Sequence, residues 1–262
     1  MAKTPAEKNS KGPIAKIRRR IYQAKITLMV VGILVFGNFA LQLIRKPTEL
    51  LSFLGLSSKK TPRSTWYTYG EDFLKNATPI VTADFLAAIA QVESAGDPVA
   101  QPAWTMNLSR EFFRWYSPAS SAVGLMQITE GNYQEAKNLC IRGGQVVRAG
   151  LWYEADSCWF NSLYSRILPS HSIEMAAAYM HFQVEAILKK LKKSEVAIEE
   201  KQRLAAIIHL CGKVRGFTYA SDNFSFRRFQ TCGSHDARSY LAKVLRYKSL
   251  FLGLMLGAGS LR

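Results

Sequence analysis

The sequence of 262 residues has 35 Lys and Arg against 19 Asp and Glu, a formal net charge of +16. Hydrophobic residues make up 48% and charged residues 21%, a globular balance that excludes a chain disordered throughout. The length allows one good-sized domain or two small ones. The positive charge indicates an anionic partner, but nucleic acid, lipid headgroups and acidic polymers all meet that description.

The N-terminal 25 residues hold a large share of this charge, with eight Lys and Arg against a single Glu, a net +7. The segment Ile26–Ile44 that follows has 19 residues without a charge, and Arg45 and Lys46 close it. About 20 apolar residues suffice to cross a bilayer as a helix. We therefore predict residues 1–25 as a cytoplasmic basic segment and 26–44 as a transmembrane anchor, with the rest of the chain exported.

A cleaved signal peptide is the alternative interpretation of the same segment. Against it, the basic region is unusually long, the apolar core exceeds the roughly 7–15 residues typical of such peptides, and small-x-small cleavage sites are poor. An uncleaved anchor is therefore favoured. A buried core helix is disfavoured because no face of the segment is polar.

Residues 45–80 are predicted to be a linker, because prolines, serines and basic residues recur along them. A short amphipathic piece is expected at Leu50–Leu56. From residue 81 to residue 262 the pattern is helical, with little strand-like alternation, and predicts a single all-α domain. After a first helix near residue 82, further helices are expected at about 108–116, 130–140, 172–193, 196–210 and 236–250. The apolar run Leu250–Leu256 is too short to span a membrane and is expected in a packed final helix.

The first helix of this domain places a carboxylate in an unusual position. Thr82 is the predicted N-cap, Asp84 complements the helix dipole, and the run Ala95-Gly96-Asp97-Pro98 ends the helix. At 100° per residue, Glu93 projects from the middle of the apolar arc in the last turn. Burial and the negative end of the helix dipole both raise the expected pKa of Glu93. A carboxyl that stays protonated is what general acid catalysis needs. The alternative is a Glu that turns outward or pairs with an Arg.

Two motifs follow one another in the predicted domain: the pair Glu93-Ser94 at a helix end and the run Ser121–Thr129, SAVGLMQIT. In this order they resemble the signature of family-1 lytic transglycosylases, which are soluble-lytic-transglycosylase relatives of goose-type lysozyme. Weaker matches follow at Ile173–Met180, IEMAAAYM, and at Leu204–Val214, LAAIIHLCGKV, which resembles the helix-ending motif LAAYNAGPGRV. The resemblance covers about residues 80–220 and implies a lysozyme-like helical domain, here preceded by a single N-terminal transmembrane helix.

The resemblance implies a peptidoglycan lytic transglycosylase that cleaves the MurNAc-β-1,4-GlcNAc bond and forms 1,6-anhydro-MurNAc. Glu93 is the implied general acid and base, with no cofactor and no metal. Such an enzyme needs one carboxylate where ordinary glycosidases use two, and nearby Asp97 is expected only to make its turn. The implied substrate-binding residues are Ser94, Ser121, Gly124, Met126, Gln127, Tyr179 and His209.

Several of these binding residues also have a structural interpretation. Ser121 and Gln127 fit a turn as well as hydrogen bonds to sugar, and core packing is the default for Met126. The Tyr-Asn pair of the family's last motif appears here as Ile207-Ile208. The role of the missing Tyr therefore passes to His209 or Tyr179, or is absent.

The spacing between the first two motifs also departs from the family. Glu93 and Gln127 are 34 residues apart, longer than usual, and the added stretch Val99–Pro118 is rich in aromatic residues. A lip that stacks sugar rings and an added helix that packs its own aromatics both fit this stretch. The aromatic residues are Trp104, Phe112, Phe113, Trp115 and Tyr116.

Four cysteines lie beyond the predicted anchor, in a compartment where disulfides persist: Cys140, Cys158, Cys211 and Cys232. They form no CxxC pair and no His/Cys cluster with zinc-finger spacing, so metal binding is not expected. Of the three pairings that four cysteines allow, Cys140–Cys158 with Cys211–Cys232 is favoured, because each bond closes a short loop. Buried free thiols are the alternative.

The anchor and the resemblance together predict a single-pass protein of the bacterial inner membrane, with its N-terminus cytoplasmic and its catalytic domain periplasmic. The expected partners are peptidoglycan glycan strands and the inner membrane through Ile26–Ile44, with secretion or pilus machinery as an open further partner. Nucleic acid is not expected, because export removes it and no recognition motif is present. The run Lys189–Lys193 is interpreted as a solvated helix end, with contact to anionic wall polymer as the alternative.

Two other functions fit part of the sequence. A muramidase would use water at the same glycosidic bond. A non-catalytic wall-binding or scaffold subunit of an envelope-spanning machine would explain the altered Tyr-Asn motif, but a charged Glu93 kept on an apolar face without function would be costly.

Overall fold

The computed structural model describes residues 13–45, 58–100, 104–106, 116–118, 121–148, 150–151, 153–154 and 157–259. These residues are mostly helical, which confirms the predicted all-α class. The helices are α1 (Pro13–Arg45), α2 (Pro62–Lys75), α3 (Ala83–Ser94), α4 (Glu130–Ala136), α5 (Pro169–Lys190), α6 (Ile198–Ser221) and α7 (Ala237–Gly259). A 3-10 helix spans Trp159–Leu163.

Short strands form three two-stranded pairs, which the sequence pattern did not indicate. They are β1 (Trp104–Met106) with β2 (Tyr116–Pro118), β3 (Leu139–Arg142) with β4 (Gln145–Arg148), and β5 (Thr231–Cys232) with β6 (His235–Asp236). The second and third pairs are antiparallel. Strands of two to four residues are too short to show a clear alternation of polar and apolar residues.

The helix α1 contains the predicted anchor. Over Lys16–Asn38 it is long and apolar enough to cross a membrane, with a mean hydropathy of 1.5. Length and composition fit a membrane anchor and a signal sequence alike. This helix belongs to one compact unit, and α2–α7 belong to another.

Within the linker predicted over residues 45–80, Pro62–Lys75 is a helix of the folded unit. Helix α2 begins after the N-cap Thr61, whose side chain accepts a hydrogen bond from the Ser64 N–H (3.3 Å). Aromatic side chains at i, i+3 and i+7 form a buried face, which the neighbouring Pro and Ser residues obscured in the sequence. These side chains are Trp66, Tyr69 and Phe73.

The helix α3 lies in the core, and most of its side chains are buried. Helices α2 and α7 both pack against it. Thr82 is its N-cap residue, as predicted, but the Thr82 hydroxyl accepts a hydrogen bond from the Gln202 amide of α6 (3.1 Å). The helix that carries Glu93 is thereby attached to three other helices.

The remaining helices differ from the prediction mainly at their ends. Helix α4 stops at Ala136, because β3 begins three residues later. Helix α6 runs past the predicted end at residue 210, with a kink at Gly212, whose φ of 78° glycine adopts without steric cost. Helix α7 includes the apolar run Leu250–Leu256, of which Phe251 is fully buried. The piece at Leu50–Leu56 and the helix predicted at 108–116, apart from Tyr116 in β2, lie outside the described residues.

Both favoured disulfides are present. Cys140–Cys158 joins β3 to the residue before the 3-10 helix, and Cys211–Cys232 joins α6 to β5. The second bond therefore fixes α6 close to the start of α7. No free cysteine is found.

Candidate active site

Glu93 lies in the last turn of α3, and this end of the helix is held by the segment that precedes α2. Lys60 donates its backbone N–H to the Ala95 carbonyl (2.7 Å), and the Gln91 amide donates to the Lys60 carbonyl (3.1 Å). The Thr65 hydroxyl donates to the Gln91 amide oxygen (2.7 Å), and this last contact is buried. A hydrogen-bonded, partly buried network of this kind gives the last turn a defined position.

Two ring side chains contact one oxygen of the Glu93 carboxyl. The Tyr240 hydroxyl donates a hydrogen bond to Glu93 Oε1 (2.5 Å), and His209 Nε2 lies 3.6 Å from the same atom. The side chain of Glu93 is 17% exposed and that of His209 is 5% exposed. The carboxyl is therefore held from the protein side while part of it still reaches solvent.

Tyr240 keeps its proton in this environment. Burial raises the pKa of Tyr240 well above its usual range, and the charge and hydrogen bond of Glu93 raise it further. A phenol that stays protonated serves as a hydrogen-bond donor to the carboxyl. Because Oε1 accepts the hydrogen bond from Tyr240, Oε2 is the oxygen left to carry a proton on Glu93.

The GLMQ sequence forms a tight turn that a pair of backbone hydrogen bonds closes. Val123 and Ile128 exchange both of their N–H···O bonds (3.2 and 3.1 Å). Gly124 within the turn has a φ of 79°, and a Cβ at this position would collide with the Arg166 carbonyl oxygen. Glycine is required there for both reasons.

Arg166, which the sequence did not single out, fastens this turn to the rest of the unit. Its Nη1 donates to the carbonyls of Ser121 and Ile128 (both 3.0 Å), and its Nη2 pairs with Glu130 (2.5 Å). The guanidinium also lies 4.9 Å from the centroid of the Tyr133 ring. Burial lowers the pKa of Arg166, and the Glu130 charge opposes that effect. This side chain joins both ends of the turn to the start of α4.

Three of the predicted binding residues make structural contacts. The side chain of Met126 is fully buried in the core. The Ser94 hydroxyl donates to the Ala90 carbonyl within α3 (2.9 Å), and the Ser121 hydroxyl accepts the Glu130 N–H at the start of α4 (3.1 Å). These residues shape the site in this structure.

Gln127 connects the two motifs in space. Its amide nitrogen donates to the Ala100 carbonyl (3.0 Å) and to the Gly124 carbonyl (2.9 Å). The chain that leaves α3 is thereby attached to the GLMQ turn. Asp97 is buried in this chain, and its Oδ1 accepts the Val99 N–H (3.0 Å), which is the turn role that the sequence predicts.

Tyr179 and His209 line one small cavity together with Asn132 and Ala136 of α4. Burial raises the pKa of Tyr179, and the Glu135 charge adds to this effect. His209 therefore contacts Glu93 and also lines the small cavity with Tyr179.

A comparison with known families matches part of this folded unit. Residues 75–198 match the family model of the transglycosylase SLT domain. This part of the chain is thus similar to an SLT domain. An SLT domain has a lysozyme-like fold and indicates a lytic-transglycosylase-type function on peptidoglycan. Neither a curated protein nor a solved structure matches the chain.

The matched segment of the SLT domain ends at the first residue of α6. His209 and Tyr240 both lie beyond it, so the Glu93 site is completed by helices outside the match. Tyr240 was not identified from the sequence, because 147 residues separate it from Glu93. One signal was available: Tyr240, Val244 and Phe251 share a buried face of α7, and a buried Tyr hydroxyl usually needs a hydrogen-bond partner.

Proposed function

We propose that this chain is a peptidoglycan lytic transglycosylase in which Glu93 acts first as general acid and then as general base. The observation that carries the proposal is the arrangement of Tyr240 and His209 around Glu93 Oε1 at the end of α3. A carboxyl in a mostly buried, hydrogen-bonded position that still reaches solvent is typical of an acid/base group.

The reaction needs one carboxyl and no water. Glu93 donates its proton to the glycosidic oxygen, the bond from that oxygen to C1 of MurNAc breaks, and GlcNAc leaves with a free 4-hydroxyl. The Glu93 carboxylate then takes the proton of the C6 hydroxyl of the same MurNAc while O6 attacks C1. The product is the 1,6-anhydro sugar, and Glu93 regains its proton. Attack within one ring is effective because the nucleophile is already tethered to the reacting carbon.

The contacts around the site support a mechanism with a single carboxyl. Asp97 is the nearest acid in sequence, and its Oδ1 is occupied by the Val99 N–H in a buried turn. Tyr240 is a positioning residue in this mechanism, because it holds Oε1 and leaves Oε2 to exchange the proton with substrate. His209, Tyr179, Gln127 and Ser121 are proposed to line the sugar-binding surface around it.

We further propose that the segment 26–44 anchors the protein in the bacterial inner membrane and that residues 1–25 stay in the cytoplasm. The apolar helix over Lys16–Asn38 and the eight Lys and Arg residues that precede Ile26 support this orientation. The folded unit that starts with α2 would then act in the periplasm, in general wall turnover or beside a secretion or pilus apparatus.

Digestion of purified peptidoglycan by the full chain in detergent, followed by mass spectrometry, tests the proposed reaction. The expected products carry 1,6-anhydro ends, which lack one water relative to reducing ends. Glu93→Gln should abolish product release and keep the melting temperature, whereas Glu195→Gln, on the exposed segment between α5 and α6, should keep both.

Two outcomes would contradict the proposal in different ways. Products with reducing ends would show a muramidase. Wild-type protein that binds peptidoglycan without releasing fragments, with Glu93→Gln indistinguishable from it, would show a wall-binding subunit.

Protease treatment of intact spheroplasts tests the proposed orientation of the anchor. The protease should degrade the C-terminal unit, and protection of that unit would contradict the orientation.

A further inference from the structure

Three phenylalanine side chains lie together where α6 ends: Phe224, Phe226 and Phe229. The ring centroids of Phe226 and Phe229 are 5.7 Å apart. Tyr219 is a buried residue of α6, and its ring lies 4.9 Å from that of Phe226 and 5.9 Å from that of Phe224. The four rings therefore form one group, which we call the Phe cluster.

Each phenylalanine of the Phe cluster has a cation over its ring, and each cation comes from a different part of the chain. The charged groups lie between 5.0 Å and 5.6 Å from the ring centroids, within the range of a cation–π contact. A cation in this position lays its methylene stem on apolar surface and turns its charge to solvent. The pairs are Lys193 with Phe224, Arg238 with Phe226, and Arg215 with Phe229.

Positive charge predominates over the Phe cluster. From residue 215 to residue 238 the chain has four Arg against two Asp. Asp222 accepts a hydrogen bond from Nε of Arg228 (2.7 Å), so these two charges compensate each other. Asp236 accepts the Ser239 N–H (2.7 Å) at the start of α7. The exposed Arg227 adds its charge to those of the cations over the rings, and the surface is therefore positive.

The rings of the Phe cluster are covered, which disfavours base stacking as their role. Stacking of nucleic-acid bases requires a free ring face, and here each phenylalanine has a cation over it and a neighbouring ring against it. Contact with phosphate groups requires only the charges, which are turned outward. An extended anionic surface can meet all of these charges at once.

We propose that the Phe cluster and its cations dock on anionic phospholipid headgroups of the membrane that holds α1. This inference rests on the proposed membrane anchor and not on the proposed reaction. Helix α1 ends at Arg45 and α2 begins at Pro62, so the 16 residues 46–61 join the anchor to the folded unit. Fully extended, they reach at most about 55 Å. A tether of this length keeps the effective concentration of the folded unit at the bilayer high, so a few cations suffice for docking.

Docking through the Phe cluster would orient the candidate active site relative to the membrane. The disulfide Cys211–Cys232 ties α6, which carries His209, to the segment that follows the cluster. Arg238 lies in the first turn of α7, two residues before Tyr240. Because His209 and Tyr240 both contact Glu93, the proposed lipid-binding surface is joined to both helices that complete the site.

Hydrogen exchange of the full chain in lipid nanodiscs tests the inference. One set of discs contains phosphatidylcholine alone, and the other contains equal parts of phosphatidylcholine and phosphatidylglycerol, so that α1 is anchored in both. Amides of residues 222–236 should exchange at least about fivefold more slowly in the anionic discs, because each cation at an anionic surface contributes roughly that factor. High salt should remove the difference, since it screens the charges.

Arg238→Ala removes one cation and should reduce this protection about fivefold. Arg148→Ala is the matched control, because Arg148 is also exposed and lies over a phenylalanine ring (4.5 Å from Phe182) outside the Phe cluster. The control should keep the protection. Arg227→Ala is a second variant at an exposed position and should act as Arg238→Ala does, while the melting temperature checks that each variant is folded.

Three outcomes would overturn the inference. The first is equal exchange in both kinds of disc. The second is equal loss of protection in Arg148→Ala and Arg238→Ala, which would show a general attraction of the basic chain. The third is equal protection in neutral discs by a soluble anion: inorganic phosphate would then identify a small-anion site, and a single-stranded oligonucleotide would identify a nucleic-acid surface.

Flotation with vesicles separates this inference from the proposed anchor. A chain that fails to enter neutral discs but floats with phosphatidylglycerol vesicles, and loses this flotation in Arg238→Ala, would overturn the anchor and keep the docking surface. A chain that neither enters the discs nor floats with the vesicles would overturn both.

Discussion

The Tyr240 hydroxyl donates a hydrogen bond of 2.5 Å to Oε1 of Glu93 across 147 residues of sequence. Tyr240 stands at the start of α7, beyond the matched SLT segment, and Glu93 at the end of α3. At the position where the resemblance predicts the Tyr of the family's last motif, this chain has Ile207, which is fully buried. A tyrosine from a different helix thus supplies a hydroxyl at the carboxyl.

Tyr240→Phe removes this hydroxyl and keeps the buried ring. Loss of a hydrogen bond to a charged group costs about 1.5–3 kcal/mol, so kcat should fall by roughly 10–100-fold. KM should change little, because Tyr240 is buried and its hydroxyl contacts Glu93. Digestion of soluble glycan strands at several concentrations measures both constants.

Tyr247→Phe, on the same helix, is the control for this variant. Tyr247 is half-buried and its ring lies 5.3 Å from the Arg246 guanidinium, away from Glu93. It should keep kcat. A Tyr240→Phe enzyme with wild-type kcat would show that the hydrogen bond plays no part in positioning the carboxyl.

The position of Glu93 was open to sequence reasoning because it follows from local geometry. A helix with an apolar arc and a carboxylate in that arc is defined within twelve residues, and the structure buries most of α3 as expected. Tyr240 depends instead on how α7 packs along α3, which no local pattern encodes. For the same reason the sequence did not predict α2. Its aromatic face becomes part of the core only when α3 and α7 pack against it.

The GLMQ motif could be recognised in the sequence, but the direction of each of its side chains could not be predicted. Met126 points into the core and the Gln127 amide bonds to Ala100 and Gly124. Both orientations follow from positive φ values at Gly124 (79°) and Gln127 (46°), which the tight turn requires. Turn geometry of this kind depends on a close approach to the carbonyl of Arg166, which lies 42 residues beyond Gly124 in the sequence.

The disulfide Cys211–Cys232 should be the more important of the two for activity. It closes a loop with a sequence separation of 21 and holds α6, which carries His209, near β5 and the start of α7. The double variant Cys211→Ser/Cys232→Ser should lose about 3 kcal/mol of stability by chain entropy. For a unit of this size the melting temperature falls by roughly 6–12 °C, measured by circular dichroism.

The pair Cys140→Ser/Cys158→Ser is the comparison, because its sequence separation of 18 gives a similar entropy term. At a temperature where both variants are folded, Cys211→Ser/Cys232→Ser should lose activity and Cys140→Ser/Cys158→Ser should keep it. Equal loss of activity in both would contradict a specific role for the α6–β5 connection.

Gly124→Ala should destabilise the folded unit. Its φ of 79° is unfavourable for alanine, and the new Cβ would meet the Arg166 carbonyl oxygen. Strain of this kind costs about 1–3 kcal/mol, which urea denaturation measures as a lower free energy of unfolding. Gly131→Ala, in α4 with open space around its Cβ, should be neutral or stabilising by up to about 1 kcal/mol. A Gly124→Ala protein as stable as Gly131→Ala would show that the turn adapts.

His181 should make the folded unit less stable in mild acid. Burial lowers the pKa of His181 from its usual value of 6.5, and the Lys201 charge lowers it further, while Glu185 at 3.3 Å opposes both. The unfolded chain therefore binds more protons than the folded one just below pH 6.5. The contribution of neutral His181 to the free energy of unfolding is therefore fully present above that pH, and it is lost as the pH drops towards 5.

His181→Asn separates this titration from the contact that His181 makes. The His181 Nδ1 lies 2.9 Å from the Thr78 hydroxyl, and an Asn amide can replace that hydrogen bond without taking up a proton. The free energy of unfolding of this variant should decline less steeply between pH 7 and pH 5 than that of the wild type. His235→Asn, at an exposed position in β6, should keep the wild-type slope. A His181→Asn slope equal to that of the wild type would assign the acid sensitivity to other groups, of which His171 is the first to examine because burial lowers its pKa as well.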